Sequence, residues 1–414
     1  MKKMYFLSIT VALLLLPCSV FALELGKLQI NGFVSQGYME SRGNNFLDSG
    51  SEDGTFEINE AGLTFNATVS DKLRIGAQIL SRDLGEDGNN DIELDWAFGD
   101  YRVTDWFGVR AGKLKLPIGL YNETRDNDFL RPMAFLPQSV YDEMQRGFMT
   151  AGYGGSLYGN VPVGEFGDFD YQVFYGQIDI DEDSFLVDEG LNNQGINAQL
   201  RAATMGMAGV DSMKYDADKT YALSLIYNAP LDGLRLGASY FKSEGKFEVS
   251  LDNPLAALDP SLAALNDLDL DITANYDPMY VLSAEYAHPL FTISAEYMER
   301  DNEIAAEGLG QQFVPDTSMG WYVLGTVQVP QVEGLALSAT YEEFYLDKDD
   351  KSEDNPLDYR KDIGIGVRYD INPNWLVKAE WHTIDGAGLN MDLVNDDGLD
   401  DDWDYFIVKT SFNF

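Results

Sequence analysis

The last strand of this chain keeps a strict alternation of side chains up to the final residue. Phe406, Val408, Thr410, Phe412 and Phe414 fall on one face, and mostly polar residues fall on the other. Most soluble domains end instead in polar residues that are poorly ordered. A strand that stops on an aromatic residue suits the closure of a transmembrane β-barrel. In such a barrel the last strand pairs with the first, and its outward ring lies at a membrane interface.

The N-terminus has the pattern of a secretory signal peptide. Two lysines follow the first methionine, an apolar run covers residues 7–16, and Val-Phe-Ala offers a cleavage point. The run is shorter than the roughly 20 residues that a membrane-spanning helix needs. A lipoprotein signal at Cys18 is an alternative, although Pro17 stands where that signal has a small residue. We expect residues 1–22 to be removed, which leaves a single barrel domain, 23–414, without cysteine.

Apolar and polar faces alternate through the rest of the chain, as lipid-facing and lumen-facing rows of a barrel do. Tyr and Phe each number 23 and Gly 39, a composition typical of many short strands with aromatic ends. Rows of this kind cover residues 221–227, 234–240, 280–286, 291–297, 335–341, 363–369 and 375–381. In residues 92–98 the same pattern predicts that Ile92, Leu94, Trp96 and Phe98 face lipid.

The connections between these rows alternate between short and long. Short ones include 70–71, 104–105, 229–233, 288–289, 330–334 and 372–374. Long ones cover 40–55, 115–149, 179–218, 244–277, 301–317, 346–358 and 385–402, with 83–91 intermediate but on the long side. This asymmetry is typical of periplasmic turns and extracellular loops, and it gives about 16 strands. An extra strand with Ile196, Ala198 and Leu200 would break the even count, so we assign it to the fourth long loop.

The fold class that these patterns predict is all-β: an antiparallel transmembrane β-barrel of about 16 strands with long extracellular loops. A barrel of that size encloses an aqueous channel instead of a packed core. A soluble exported β-sandwich is an alternative, since its strands would also alternate. It would place its apolar rows against each other instead of against lipid.

Residues 109–132 carry a local resemblance to a known family. The stretch VRAGKLKLPIGLYNETRDNDFLRP contains G-K-x-K-x-P-x-G, which resembles the phosphate-selective porin O/P family at Gly112, Lys113, Lys115, Pro117 and Gly119. The terminal strand likewise resembles the C-terminal segment by which outer-membrane proteins of Gram-negative bacteria are recognised for insertion, here Phe406, Val408, Phe412 and Phe414. The resemblance implies a trimeric sixteen-stranded porin whose third loop folds inward. The family's lysine-rich conduit is not matched by this acidic chain, whose net charge is −41, so phosphate selectivity is not carried over.

Charged residues of the lumen-facing rows and the third loop are candidates for the pore constriction. Charges of opposite sign on facing walls set up a transverse field, which selects ions and orients dipolar solutes. The candidates are Arg74, Arg110, Lys113, Lys115, Glu123, Arg125, Asp126, Asp128 and Arg131. An alternative is that the lumen charges only pair across strands and stabilise the wall.

Acidic residues crowd the long connections, for example over 179–183, 347–350 and 396–404. They predict a solvated outer face, a mouth that attracts cations, or loosely bound divalent cations that bridge to lipopolysaccharide. No resident cofactor or metal is expected, because no zinc spacing, P-loop or dinucleotide motif is present. The two histidines, His288 and His382, form no catalytic pattern with serine or aspartate, so we do not expect an enzyme. Nucleic acid is an implausible partner at this net charge.

The expected function is a porin in the outer membrane of a Gram-negative bacterium. Small hydrophilic solutes or ions would diffuse passively through the barrel, which the third loop narrows. Expected partners are outer-membrane lipid, lipopolysaccharide, the barrel-assembly machinery and two further copies of the chain in a homotrimer. The alternative is a structural or adhesive barrel whose lumen is plugged and whose acidic loops bind a partner. The transported solute and the sign of the ion preference stay open.

Overall fold

The computed structural model describes residues 28–180, 184–185, 187, 201, 209–252, 270–306, 311–312, 316–389, 391–395 and 398–414. The predicted signal peptide, residues 1–22, lies outside the described residues. So do Ile196, Ala198 and Leu200, which the sequence suggested as an extra strand.

One antiparallel sheet of 17 strands contains most of the described residues. Its strands are β1 (Leu28–Arg42), β2 (Thr55–Thr68), β3 (Leu73–Leu84), β4 (Ile92–Thr104), β5 (Phe107–Lys115), β6 (Ala151–Pro162), β7 (Asp168–Ile178), β8 (Gly209–Asn228), β9 (Leu234–Asp252), β10 (Leu270–His288), β11 (Phe291–Ala306), β12 (Gln311–Gln312), β13 (Asp316–Gln328), β14 (Leu335–Tyr345), β15 (Tyr359–Asn372), β16 (Trp375–Asp385) and β17 (Asp402–Asn413). Strand β12 has 2 residues and only extends the hairpin of β11. The other strands form the predicted antiparallel sixteen-stranded barrel.

The barrel closes where β17 pairs with β1. The N–H of Gly32 donates to the carbonyl of Phe414 at 3.1 Å, and the N–H of Phe414 donates to the carbonyl of Gly32 at 3.0 Å. The register continues from Val34 opposite Phe412 to Arg42 opposite Asp404. Closure pairs both edges of the sheet, which a barrel in lipid requires because unpaired backbone groups are costly there.

The apolar rows face outward, as predicted for a lipid-facing wall. Leu282 is 58% exposed and Ile365 is 59% exposed, although both lie in the middle of strands. Aromatic rings stack near the ends of these rows; one example is Trp375 with Phe412, whose centroids lie 5.3 Å apart. A continuous exposed apolar band marks a membrane-contacting surface. The sandwich alternative is therefore wrong, because these rows do not pack against each other.

Strand β4 departs from the predicted alternation at Asp95. Gln78 of β3 pairs with Trp96, whereas the next residue, Ile79, pairs with Leu94, so Asp95 is an extra residue in a β-bulge. A bulge reverses the faces of all later side chains in its strand. Leu94 faces lipid as expected, but Trp96 and Phe98 line a cavity of the lumen. The prediction that these two rings face lipid is wrong for this reason.

Strands β8 to β11 extend further from the membrane band than the sequence predicted. Residues 244–277 were assigned to one loop, but β9 continues to Asp252 and β10 begins at Leu270. Apolar and polar residues alternate in the sequence here too, for example at Phe247, Val249 and Leu251, so the signal for longer strands was present. The two strands pair from Glu244 opposite Asn275 outward. The hydrogen-bond ladder itself continues the strand beyond the apolar band.

Helices in the described part of the chain are short, and none of them is long and apolar enough to cross a membrane. Two of them, α1 (Gln138–Tyr141) and α2 (Arg146–Met149), lie between β5 and β6. They belong to the segment that occupies the barrel interior.

Candidate functional site

Residues 116–150, which we call the inner segment, connect β5 to β6 and lie inside the barrel. The side chain of Arg125 is 0% exposed, and Asn122 and Tyr141 are almost as completely buried. A loop on the outer surface could not bury such polar residues. The wall and the inner segment therefore face each other across the lumen, and each supplies hydrogen-bonding groups to the other.

Glu296 of β11 is the most connected anchor between the wall and the inner segment. Its carboxylate accepts from the N–H of Leu120 at 2.9 Å and from the hydroxyl of Tyr141 at 2.5 Å. Two wall residues, Tyr322 at 2.7 Å and Ser283 at 2.5 Å, donate to the same carboxylate. A buried carboxylate is stable only with such a set of donors. Glu296 thus fixes Leu120 and Tyr141 of the inner segment against β10, β11 and β13.

A second anchor lies on strands β16 and β17, further around the barrel. The ammonium of Lys378 donates to the carbonyls of Asp128 at 2.8 Å and Met133 at 2.9 Å. Lys409 contacts both Glu60, at 2.5 Å, and the carboxylate of Asp128, at 3.0 Å. Burial alone would raise the pKa of Asp128, but the two ammonium groups hold it well below its ordinary value. Asp128 is therefore a charged contact between the inner segment and strands β16 and β17.

Further wall carboxylates receive donors along the rest of the inner segment. Glu342 accepts from the N–H of Ser139 at 2.7 Å, and Glu380 accepts from the N–H of Ala134. These strands follow one another around the barrel, from β10 and β11 through β14 to β16 and β17. The inner segment is thus bound at several points around the circumference.

A chain of alternating charges crosses from the wall into the inner segment. The ammonium of Lys115 contacts Asp95 of the bulge at 2.5 Å and also Asp126. Asp126 in turn contacts Arg146, which contacts Glu143 at 2.9 Å. Burial, together with two nearby arginines, lowers the pKa of Arg146 to about 9. Each buried charge in this chain has an opposite partner, as burial requires.

The charge chain lies between two cavities. A turn-side cavity of ≈ 830 Å³ is bordered by Lys115 and Asp126 and reaches the short turn at Asn374. A loop-side cavity of ≈ 510 Å³ is bordered by Asp95 and by Arg82. Since Lys115 borders one cavity and Asp95 the other, their ion pair separates the two. We call this boundary the partition; the buried apolar residues Leu114 and Leu116 lie on either side of Lys115 in the sequence.

The turn-side cavity combines charge with aromatic rings. Asp100 of β4 contacts Arg74 at 3.0 Å and Arg110 at 3.5 Å, and it accepts from the hydroxyl of Tyr158 at 2.5 Å. The guanidinium of Arg110 lies 4.1 Å from the centroid of the Tyr158 ring. Glu123, from the inner segment, borders the same cavity.

The candidate constriction residues fall into three groups. Those that border the turn-side cavity are Arg74, Arg110, Lys115, Glu123 and Asp126. Those buried within the inner segment and its wall contacts are Arg125, Asp128 and Arg131. The third group is Lys113 alone: it borders the loop-side cavity together with Tyr153, with which it pairs, and its ammonium lies 5.5 Å from the Tyr153 ring.

Nothing in the sequence indicates that Trp96 and Phe98 are lumen residues, because the bulge at Asp95 leaves no mark in the hydrophobic alternation. Glu296 was visible as one carboxylate in a lumen-facing row, but nothing in the row indicated that it binds residues of the third loop. The terminal residues Phe406, Val408, Phe412 and Phe414 lie on the outer wall, and Val408, Phe412 and Phe414 are well exposed there. Their role in insertion stays a prediction.

Comparison with solved structures identifies the fold. Outer-membrane expressed OmpT of Vibrio cholerae is 14% identical, with a TM-score of 0.54, over 94% of this chain and 97% of that chain. An anion-selective porin from Comamonas acidovorans is 11% identical, with a TM-score of 0.51, over 94% and 99%. OmpF of Salmonella typhi, in complex with daunomycin, is 14% identical, with a TM-score of 0.54, over 94% and 97%.

These similarities define a class: the chain has the sixteen-stranded barrel fold of outer-membrane porins. At such low identities they establish the fold alone. No protein-family profile matches the chain, and no curated protein matches it. The resemblance to the porin O/P family is thus supported as a porin-like fold and no further.

Proposed function

We propose that the protein is a porin of the outer membrane of a Gram-negative bacterium. Small hydrophilic solutes or ions would diffuse passively through the barrel, and the inner segment would form its constriction. The observation that carries the proposal is the partition between the turn-side cavity of the lumen and the loop-side cavity. It consists of the Lys115–Asp95 ion pair, at 2.5 Å, and of neighbouring charges, all of which water and ions can solvate when side chains move.

The proposed mechanism needs neither a cofactor nor an energy source, and we propose no enzymatic activity. Outer-membrane lipid, lipopolysaccharide and the barrel-assembly machinery are proposed partners, and a homotrimer is the proposed assembly. Loosely held divalent cations at the acidic outer loops are part of the same proposal. The aromatic residues on the exposed ends of the strands suit contact with the lipid interfaces.

A plugged structural or adhesive barrel is the second candidate. It is favoured by the depth to which the inner segment is buried, with Arg125 at 0% exposure, and by its anchors on many strands. Such a segment could close the lumen permanently. The long outer loops would then bind a partner.

Single-channel recording of the purified full chain in planar bilayers separates the two candidates. Discrete open steps in the native protein support the porin. A silent native protein, together with open steps in a Glu296→Leu variant, supports the plugged barrel, because Glu296 anchors the inner segment. Silence in both proteins contradicts the proposal that a solvated path exists beside the inner segment.

A further inference from the structure

Two aromatic rings lie flat against the lumen wall beside the turn-side cavity. Trp96 and Phe98 are stacked, with centroids 5.2 Å apart and an angle of 25° between the rings. The bulge at Asp95 turns both inward. A Cβ atom on Gly76 of β3 would lie 2.9 Å from the Trp96 ring. Because Gly76 has no side chain, the rings can rest on the wall and offer a ring face to the cavity.

Two guanidinium groups flank this aromatic pair. Arg74 lies 5.5 Å and Arg110 lies 5.6 Å from the centroid of Phe98. Both share one carboxylate, that of Asp100, so these three side chains together carry one positive charge. The side chain of Arg74 is 46% exposed. The Nε of Arg110 is buried and faces the Asp100 carboxylate at 3.5 Å, so the terminal nitrogens of its guanidinium group are those left for a ligand. Guanidinium groups with uncommitted donors are suited to a carboxylate.

The remainder of the cavity limits the charge of a ligand. Thr64, Asn66 and Gln78 border the same wall and are neutral hydrogen-bonding groups. Glu123 borders the cavity from the inner segment, where it accepts from Gln172 at 3.3 Å. A second negative charge on the ligand would approach this carboxylate, which is unfavourable. The site therefore matches a single negative charge.

We propose that Trp96, Phe98, Arg74 and Arg110 form a binding subsite for small aromatic monocarboxylates. The ligand ring stacks on the aromatic platform, and its carboxylate accepts from the two guanidinium groups. The subsite deepens the proposed porin function and rests on it, because a solute in this cavity has entered the lumen. The two arginines of this subsite contrast with the acidic character of the whole chain, whose net charge is −41.

Calorimetric titration of the detergent-solubilised full chain at constant ionic strength tests the subsite. The probes are benzoate, cyclohexanecarboxylate, which has the charge without the aromatic face, and benzyl alcohol, which has the ring without the charge. We expect saturable binding of benzoate. Loss of either the ring stacking or the charged hydrogen bonds is expected to weaken binding about tenfold. Equal affinity for benzoate and cyclohexanecarboxylate would overturn the proposal.

Variants assign the binding to these residues. Trp96→Leu and Arg110→Gln are each expected to weaken benzoate binding about tenfold, whereas Trp96→Phe retains most of it. Gly76→Leu provides an independent test, because its side chain displaces the rings without removing them. Matched controls are Tyr101→Leu, on the lipid side of the same strand, and Arg42→Gln, on the outer surface. Undiminished benzoate binding in Trp96→Leu, Gly76→Leu and Arg110→Gln would refute the subsite.

Bilayer recording of the same preparations separates this proposal from the porin proposal. Benzoate binding by a protein that never conducts contradicts the porin but supports the subsite. Conductance without benzoate binding contradicts the subsite and leaves the porin in place. Both proposals are supported if benzoate reduces the current through the native protein but does not reduce the current through Trp96→Leu.

Discussion

Removal of the Glu296 carboxylate should release the inner segment from the wall. In Glu296→Leu, the hydroxyls of Tyr141, Tyr322 and Ser283 lose the oxygen to which they donate, at 2.5, 2.7 and 2.5 Å. Each buried donor left without an acceptor costs about 1–3 kcal/mol. Taking the lower value for each, the docked state loses about 3 kcal/mol, which raises the undocked population roughly 100-fold.

Limited digestion with trypsin measures that population. The inner segment contains Arg125 and Arg146, which are buried in the docked state and are not followed by proline, so native protein should be cut there slowly. We expect cleavage after these residues to accelerate roughly 100-fold in Glu296→Leu, in proportion to the undocked fraction. The cleavage rate of Glu296→Gln should lie between those of the native protein and Glu296→Leu, because the amide keeps one accepting oxygen.

Thr326→Val is the matched control. It removes a hydroxyl pair of the wall, Thr326 with Ser338 at 3.0 Å, and leaves the contacts of Glu296 intact. Its inner segment should be cut at the native rate. A folded Glu296→Leu barrel whose cleavage rate stays within about twofold of native would refute the anchoring role of this carboxylate.

Three further predictions concern the partition, pH and closure. Lys115→Met removes the ammonium that pairs with Asp95 and should raise single-channel conductance, whereas Lys361→Met, on the outer face of β15 with Ile363, should not; equal conductance in both would contradict the partition. Burial raises the pKa of Asp142 to about 6, so the folded state binds a proton more tightly than the unfolded state does. The inner segment should therefore become more protease-resistant as pH falls from about 7 to about 5, and Asp142→Asn should weaken this trend, which a digestion series at several pH values checks. Deletion of Phe414 removes two backbone hydrogen bonds to the first strand and should lower the yield of barrel that keeps its compact mobility in unheated electrophoresis; an unchanged yield would contradict a closing role.

The strand pattern could be predicted from the sequence because the pleat imposes it. Side chains alternate between lipid and lumen, so rows such as 280–286 are apolar on one face only. Leu282 and its neighbours on that row are exposed on the outer wall, as expected. The even strand count and the closing pair of β1 with β17 followed from the same regularity.

The reversal at Asp95 could not be predicted in this way. Leu94, Trp96 and Phe98 are all apolar or aromatic, so the row looks unbroken whether or not a bulge interrupts it. A bulge depends on how a strand pairs with its neighbours, which hydrophobic alternation does not encode. The aromatic platform of the turn-side cavity consequently became visible only in three dimensions.

The contacts of the inner segment were hidden for a different reason. Glu296 and Tyr141 are far apart in sequence, and a carboxylate in a lumen row can equally pair with a neighbouring strand. Which partner it takes depends on where residues 116–150 lie within the barrel. The residue types of the constriction were therefore predictable, but their partners were not.

Closure through Phe414 and Gly32 has a consequence for how the molecule is assembled. The ring can be completed only after the last residue has been made, since the final strand joins the first. Until then the edges of β1 and β17 expose unpaired backbone groups that can join another chain. Refolding should thus compete with association between molecules, and the yield of closed barrels should fall as the protein concentration during refolding rises.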